Sequence, residues 1–427
     1  MLEPLVAAAY EYAFPLHTIA RTRYRAAQDP HNPDRQAPNT LRHIRSLSDH
    51  RSRWITAPNN DTLYTNAWLD LDVGPLRLRV DAQPAGRYWS VALMDAFTNH
   101  FAVLGQRLDG TGPAEVTLVG PRHHRLDLPG RVIRTPGRDA WLFARCHVQG
   151  PEDLPEAHAM QDRMRLAPTA GTPASRVVPG EPTDAPSFLA VVNEALGRNP
   201  PPAAETPLLE RWARVGLRPG ATDAWQALDG AARQAWTNHI GAAFEQVRQY
   251  GRQGRREFQG WIASAADIGN FGNHYALRAS VALGGLGALE PAEAMYFVRY
   301  ADDERQPLDG RHRYRLRVPP GGIPTDSFWS FTMYEPTADG QRFFVDNPIG
   351  RYAIGNRTPG LVVKPDGSLE LVLQQAPPDD PRECANWLPA PGGPFQVALR
   401  CYLPQPALRE GRTMMPNLAR CEPPTRR

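Results

Sequence analysis

The sequence predicts a mainly β protein with a helical insert, in which two β-sandwich or jelly-roll-like domains are copies of one unit. Three observations support this prediction. Short runs alternate apolar and polar residues, 44 prolines and 35 glycines punctuate those runs, and a set of motifs recurs in the same order in both halves. Period-two alternation is typical of strands with one buried face and one solvated face.

The alternation is regular in residues 76–80, 314–318 and 395–401. In the first run, Leu76, Leu78 and Val80 are separated by arginines. We therefore predict three strands whose apolar side chains face a core. An Asp-Gly pair at 366–367, between two apolar runs, predicts a hairpin turn.

An internal repeat is indicated by four short matches at comparable spacing. The first half carries, in order, Tyr64 with Asp70 six residues later, Leu78-Arg79-Val80, Trp89-Ser90 and Arg145-Cys146. The second half carries, in order, Tyr296 with Asp302, Leu316-Arg317-Val318, Trp329-Ser330 and Arg400-Cys401. We predict that Trp89 and Trp329 fill equivalent core positions and that the shared motifs serve packing.

At 427 residues the chain exceeds what one hydrophobic core usually holds, so we expect more than one domain. Residues 1–165 are predicted to form a helix and the first β-domain. Residues 166–202, which are rich in proline and small residues, are predicted to be a linker or surface excursion. A helical segment is predicted at 203–289 and the second β-domain at 290–427.

Composition excludes several classes of function. The net charge is only +3 and the arginines are spread evenly, so no nucleic-acid partner is expected. Lys364 is the single lysine, and without a Gly-Lys-Ser/Thr loop a P-loop nucleotide-binding protein is excluded. No apolar run approaches the ~20 residues of a membrane span, and no basic export signal opens the chain. We expect a soluble, cytoplasmic protein with free cysteines, no cofactor and no membrane partner.

A polar cluster in the first half has no obvious counterpart in the second. Residues 57–64 read Ala-Pro-Asn-Asn-Asp-Thr-Leu-Tyr. Asp61 is a candidate base and Tyr64 a candidate acid or oxyanion donor, with Asn59 and Asn60 holding a substrate. The alternative interpretation is a structural turn, because Asn and Asp readily cap their own backbone.

Further candidates follow predicted strands. Asp95, Asn99 and His100 come after the strand that ends near Met94, where Asp95 or His100 is expected to assist catalysis and Asn99 to contact substrate. Their alternative is a turn with a surface histidine, and no spacing requires a metal. Tyr88 is also counted among the substrate-binding residues.

The second half contributes an amide and an aromatic side chain, Asn386-Trp387, beside a proline-bounded loop. This pair is a candidate ligand-binding surface. Tryptophan is more often a core residue, so that alternative stays open.

These residues resemble a bacterial family that pairs two domains of unknown function, 1254 in the amino-terminal part and 1214 in the carboxy-terminal part. The motifs that carry the resemblance are Pro58-Asn59-Asn60-Asp61-Thr62-Leu63-Tyr64, Trp68-Leu69-Asp70-Leu71, Phe328-Trp329-Ser330-Phe331-Thr332-Met333-Tyr334 and Asn386-Trp387-Leu388-Pro389-Ala390-Pro391. The resemblance implies a β-sandwich or jelly-roll pair with helices between, assembled as a homo-oligomer. It implies no established reaction.

Two hypotheses about function remain. The first is an enzyme that acts on a small molecule without a nucleotide cofactor, by hydrolysis, elimination or isomerisation with general acid/base chemistry. The second is a non-catalytic binding or assembly module for a carbohydrate, a lipid or a protein. Fold class alone does not decide between them.

Overall fold

The computed structural model describes residues 2–53, 55–167, 177–251, 256–338 and 340–421. Helices make up 28% of the described residues and strands 27%. The predicted combination of several β-sheets with helical elements is confirmed, although helices contribute as many residues as strands. The strands of the described ranges form four separate sheets. The finer description of each half as a β-sandwich or jelly roll stays a prediction.

The helices of the described ranges are α1 Glu3–Ala27, α2 Gln106–Asp109, α3 Leu154–Asp162, α4 Ala185–Arg198, α5 Thr206–Trp212, α6 Ala224–Ala227, α7 Gly230–Tyr250, α8 Tyr275–Gly284, α9 Pro381–Ala385 and α10 Pro406–Arg409. The strands of the first half are β1 Arg42–His43, β2 Thr62–Asp70, β3 Leu76–Val80, β4 Trp89–Asp95, β5 His100–Gly105, β6 Ala114–Val119, β7 Val132–Arg134, β8 Asp139–His147 and β9 Met164–Leu166. The strands of the second half are β10 Glu257–Phe258, β11 Trp261–Ala263, β12 Ala294–Arg299, β13 Arg313–Val318, β14 Trp329–Pro336, β15 Arg342–Phe343, β16 Ala353–Gly355, β17 Leu369–Gln374, β18 Trp387–Pro389, β19 Gln396–Tyr402 and β20 Asn417–Cys421.

The first half contains a five-stranded sheet, in the order β1-β2-β8-β4-β5, and a four-stranded sheet, in the order β7-β6-β3-β9. Buried side chains from both sheets form one hydrophobic cluster, in which Leu69 and Val91 of the larger sheet join Leu78 and Val116 of the smaller one. The arginines that alternate with Leu78 along β3 are exposed, as the sequence predicts. One core therefore lies between the two sheets.

The second half repeats this arrangement. A seven-stranded sheet has the order β10-β11-β12-β19-β14-β15, with β16 also paired to β14, and a four-stranded sheet has the order β18-β17-β13-β20. Trp329 and Phe331 of the larger sheet share a hydrophobic cluster with Leu316 and Leu371 of the smaller one.

The two halves share strand order, strand direction and register. The order β2-β8-β4 corresponds to β12-β19-β14, and the parallel pair β6–β7 corresponds to the parallel pair β17–β18. Trp89 lies opposite Cys146 in the first half, as Trp329 lies opposite Cys401 in the second. The repeated motifs thus predict the common topology correctly.

Helices pack together beside the large sheets. Helix α1 lies against α4, α7 and α8, and their buried faces form a further hydrophobic cluster. Helix α4 falls within residues 166–202, where the sequence predicts a linker. Here the prediction is wrong for 185–198, because Pro186 stands in the first helical turn, where its missing N–H is harmless. Residues 168–176 of this stretch lie outside the described residues, and the domain boundaries stay predictions.

The turn predicted at 366–367 is present. The Gly367 N–H donates to the Lys364 carbonyl, and the Asp366 carboxylate accepts from the Ser368 N–H at 2.9 Å. The first arm of the predicted hairpin contributes an isolated bridge, Val363 to Leu369, in place of a strand. Among the helices of the described ranges, none is both long and apolar enough to cross a bilayer.

If the halves carry equivalent cores, Leu78→Ala and Leu316→Ala should lower the free energy of unfolding by similar amounts, about 2–5 kcal/mol each. Both leucines are buried at corresponding strand positions, opposite Leu166 and Leu418. Urea denaturation of each variant provides the measurement. The exposed Leu108→Ala is the control and should stay within about 0.5 kcal/mol of the wild type. A large cost at one leucine only would contradict equivalence.

Candidate functional site

The two large sheets meet through the faces that point away from their cores. Since side chains alternate along a strand, Trp89 and Cys146 enter the first core while Ser90 and Arg145 point the other way. The second half presents polar side chains from matching positions. Together these form what we call the interface cluster, which comprises Asn59, Asp61, Tyr64, Tyr88, Ser90, Arg145, Glu293, Tyr296, Ser330, Tyr334, Arg400 and Tyr402.

Asp61 connects the two halves directly. The Ser330 hydroxyl donates to its Oδ2 at 2.6 Å, and its backbone N–H donates to Asn59 Oδ1 at 2.7 Å. Burial raises the pKa of the Asp61 carboxyl above its usual value, and the charge of Arg400 and the bond from Ser330 oppose this only in part. Asp61 is therefore a stronger base than an exposed aspartate.

Tyr64 is held by two donors. Its hydroxyl accepts from Asn59 Nδ2 at 3.2 Å and from Arg145 Nε at 3.3 Å. Burial alone would raise the pKa of Tyr64. The charge of Arg145 and the two hydrogen bonds outweigh burial, so that the pKa lies below its usual value. Tyr64 is therefore a stronger acid than an exposed tyrosine.

Glu293 is the second half's counterpart of Asp61, because it precedes Tyr296 by three residues as Asp61 precedes Tyr64. The Tyr88 hydroxyl donates to Glu293 Oε1 at 2.8 Å and lies 3.0 Å from Ser90 Oγ. A carboxylate of each half thus accepts a hydrogen bond from a hydroxyl of the other half. Glu293 differs from Asp61 in also accepting from Arg107 Nε at 2.8 Å.

Two buried arginines occupy corresponding positions, since Arg145 lies opposite Ser90 and Arg400 lies opposite Ser330. Arg400 donates to the Tyr334 hydroxyl at 2.5 Å, and Arg145 Nη2 donates to the Gly287 carbonyl at 2.7 Å. Both guanidinium groups bond to hydroxyl and carbonyl oxygens, and within the described residues neither forms a salt bridge. The cluster therefore carries positive charge that no carboxylate neutralises by contact.

Aromatic rings shield the cluster. The Phe328 ring stacks on His147 at 3.8 Å and on Tyr402 at 4.3 Å between centroids, and Tyr88 packs on Tyr402 at 4.8 Å. The Tyr402 hydroxyl accepts from Asn59 Nδ2 at 2.9 Å. Such a surround excludes water and strengthens the electrostatic interactions inside it.

Asp95 and Asn99 form a turn outside the cluster. Asp95 Oδ1 accepts the N–H groups of Phe97 and Asn99 at 2.9 Å each, and Asn99 Oδ1 accepts the Phe271 N–H at 3.2 Å. The turn alternative therefore describes these two residues, and their roles with a substrate stay predictions. Asp95 also lines a pocket of about 30 Å³, beside Trp68 and Trp141, which has room only for water.

His100 lies beyond this turn. Its ring packs on Phe143 with 5.6 Å between centroids, and both ring nitrogens are shielded from solvent. Burial, together with the charge of Arg145, lowers the pKa of His100 to about 3, so the ring is neutral at physiological pH. The residue is half-buried and both ring nitrogens are enclosed, so a freely exposed surface histidine does not describe it.

Three other candidates bind backbone away from the cluster. Asn60 Nδ2 donates to the Ser48 carbonyl at 2.6 Å, and Asn386 bonds to both the N–H and the carbonyl of Val362. Trp387 is 2% exposed and donates to the Gln374 carbonyl. Their polar atoms hold local structure, so the structure does not bring them to a ligand surface. In the described ranges, no three His, Cys, Asp or Glu side chains group so as to hold a metal ion.

Sequence reasoning missed Arg145, Ser330 and Arg400 as site residues, although all three belong to the repeated motifs. Those motifs were attributed to packing. The missed signal was the spacing of Glu293 and Tyr296, which matches that of Asp61 and Tyr64. It indicates that both repeats place a carboxylate and a tyrosine at corresponding positions.

A titration step near pH 6 is expected from Asp95. Burial raises its pKa from 3.8 to about 6 despite the hydrogen bonds from Asn99 and Phe97. The folded state therefore holds this proton more tightly than the unfolded state, and stability falls as the pH rises from about 4 to about 6, by about 3 kcal/mol. Asp95→Asn should remove that fall, measured by urea denaturation at pH 4 and pH 7. Parallel pH dependence in both proteins would contradict the assignment.

Comparison with known proteins places the cluster within two matched regions. Residues 38–168 match the family described as "Protein of unknown function (DUF1254)", and residues 293–406 match "Protein of unknown function (DUF1214)". The first region contains Asp61, Tyr64 and Arg145, and the second contains Ser330 and Arg400. No curated protein matches the chain significantly.

Two solved structures are similar to the chain. The crystal structure of the VPA0106 protein from Vibrio parahaemolyticus has a TM-score of 0.76 and 21% sequence identity, covering 99% of this chain and 100% of that one. An uncharacterised protein from Burkholderia cenocepacia has a TM-score of 0.49 and 13% identity, covering 97% of this chain and 89% of that one. The first similarity shows a common fold. With its two matched regions in the order that the sequence predicts, the chain belongs to the family that joins an amino-terminal DUF1254 domain to a carboxy-terminal DUF1214 domain.

Proposed function

We propose that the protein is an enzyme that acts on a small molecule by general acid/base chemistry at the interface cluster. The observation that carries this proposal is the side chain of Asn59, which binds the Asp61 N–H through one end and the Tyr64 hydroxyl through the other. The backbone of the candidate base and the hydroxyl of the candidate acid are thereby tied to one side chain in a water-poor site. Positioning of this kind is what proton transfer requires.

Asp61 acts as the base and Tyr64 as the acid. A raised pKa at the carboxyl and a lowered pKa at the phenol bring the two proton affinities toward each other, which is the direction that favours acid/base catalysis. When Tyr64 gives up its proton, Arg145 stabilises the resulting phenolate, since Arg145 Nε already donates to that oxygen. Ser330 fixes the orientation of the Asp61 carboxylate.

The chemistry of these groups suits hydrolysis, elimination or isomerisation of a small molecule without a nucleotide cofactor. Asn59 and Tyr88 are the predicted substrate-binding residues that lie in the cluster. A homo-oligomer and a cytoplasmic location remain part of the proposal, as expected from the sequence.

A non-catalytic assembly role is the second candidate, because the same bonds join the two halves. Ser330 to Asp61 and Tyr88 to Glu293 both cross the interface between the large sheets. On this reading the cluster serves to orient one half on the other. Breaking such buried bonds would then lower stability, at about 1–3 kcal/mol for each group left unpaired.

Asp61→Asn and Tyr64→Phe separate the two functions. We expect each to reduce turnover at least about 100-fold while the protein stays folded at the assay temperature. The assay incubates each protein with a small-metabolite extract from bacterial cells and follows the masses that the wild type consumes. Asp127→Asn and Tyr250→Phe are matched controls on exposed residues and should keep full activity.

Undiminished consumption by the Asp61 and Tyr64 variants would refute the catalytic proposal, and so would a wild type that consumes nothing. Loss of several degrees of melting temperature in both variants, without any consumption by the wild type, would support the assembly role instead.

Tyr64 should also lose its proton at a lower pH than the tyrosines around it. Burial raises the pKa of Tyr88, Tyr296, Tyr334 and Tyr402, whereas that of Tyr64 is lowered. An ultraviolet absorbance titration should therefore show a tyrosinate step below pH 10 that is missing from Tyr64→Phe. A titration curve that this substitution leaves unchanged below pH 10 would be inconsistent with the assigned role.

A further inference from the structure

Polar atoms without partners lie beside the acid of the interface cluster. Arg145 Nη1 and both ring nitrogens of His100 are shielded from solvent, and none has a hydrogen-bond partner in the part of the chain that the structure describes. Native proteins pair about nine in ten buried polar groups, so three such atoms in one region need an explanation. Arg145 is 5% exposed and, unlike histidine, does not lose its charge when buried.

Arg145 and His100 both contact the ring of Phe143. The Arg145 Cζ lies 5.0 Å from the centre of the Phe143 ring, and the His100 ring lies 5.6 Å from it. The two side chains also interact electrostatically, since the charge of Arg145 lowers the pKa of His100. We call this region the Arg145–His100 site.

Two glycines form its backbone side. Gly287 binds Arg145 Nη2 through its carbonyl, and a Cβ at Gly287 would lie 3.3 Å from the Trp141 ring. A Cβ at Gly269 would lie 2.8 Å from His100 Nδ1. Both glycines also have positive φ, at 82° and 80°. The backbone therefore approaches these rings as closely as only glycine permits.

The donors and charges match a small monoanion. Arg145 supplies a fixed positive charge and free N–H groups, and the neutral His100 ring supplies one N–H donor and one acceptor nitrogen. A carboxylate can accept from donors of both kinds, and a hydroxyl beside it can donate to the acceptor nitrogen. A single uncompensated guanidinium balances one negative charge, which favours a carboxylate over a phosphate dianion.

We propose that the Arg145–His100 site binds a small carboxylate, so that the substrate of the proposed reaction is a carboxylic acid such as a hydroxy acid. This inference rests on the proposed function for its catalytic meaning. Arg145 then contacts both the substrate and the acid. Its Nη1 donates to the carboxylate, and its Nε donates to the Tyr64 hydroxyl at 3.3 Å. The bound acid is thereby held next to the catalytic phenol.

Binding is measured on the full chain without turnover. Acetate and glycolate, at ionic strength matched with sodium chloride, should raise the melting temperature in a saturable way, and glycolate should bind more tightly. The tyrosinate step of Tyr64 should move upward by about one pH unit with ligand, because the carboxylate neutralises Arg145. No rise beyond that given by chloride would overturn the inference, and the unpartnered atoms would then be bound to water.

Variants locate the effect. Arg145→Lys keeps the charge but loses Nη1, and should abolish the shift with acetate. His100→Phe keeps a ring against Phe143 and should weaken acetate binding about tenfold. Arg77→Lys on the exposed side of β3 is the matched control and should bind as the wild type. Unchanged binding in His100→Phe would overturn the site even where Arg145→Lys fails to fold.

Asp61→Asn separates this inference from the proposed function, since it should retain acetate binding while losing turnover. Retained binding with retained turnover in Asp61→Asn would remove the acid/base proposal and leave the carboxylate site in place.

Discussion

Burial of polar groups between the two large sheets is the constraint on which the structure depends. Arginines, tyrosines and carboxylates project from the faces opposite the hydrophobic cores, and their removal from water is unfavourable unless each finds a partner. Asp61 accepts a hydrogen bond from Ser330 of the second half, and Glu293 accepts one from Tyr88 of the first half. Because such bonds are directional, they fix one arrangement of the two sheets, which an apolar interface alone would specify less strictly.

The duplicated positions have diverged in charge balance. Glu293 has Arg107 as an ion-pair partner, whereas Asp61 has the Ser330 hydroxyl. Tyr296 accepts a backbone N–H from Leu289 and has a raised pKa, whereas Tyr64 accepts from a guanidinium and has a lowered pKa. One copy of the repeat therefore holds its polar groups in structural pairs. The other combines a carboxyl of raised pKa with a phenol of lowered pKa, on which the proposed reaction depends.

Strands and the 366–367 turn were predictable from sequence because each depends on neighbouring residues. The repeat was predictable because the same short motifs recur in the same order. Helix α4 was not, since Pro186 suggests a break unless its place in the first turn is known. Within the site, Asp61 and its neighbours were predictable as a continuous polar run. Ser330 was not, because alternation tells which side chains share a face and not which faces meet. Arg145 was visible in the repeat but was attributed to packing, since no local pattern distinguishes a buried arginine at an interface from a solvated one.

The distance along the chain between Asp61 and Ser330 has a consequence for synthesis. The two residues are 269 positions apart. At about 5–20 residues per second, the ribosome adds Ser330 roughly 15–50 seconds after Asp61. Once residue 166 has been added, the amino-terminal repeat holds all the residues of its own core while its polar face has no partner. The hydrogen bonds that join the two large sheets can therefore form only after residue 330 has been added.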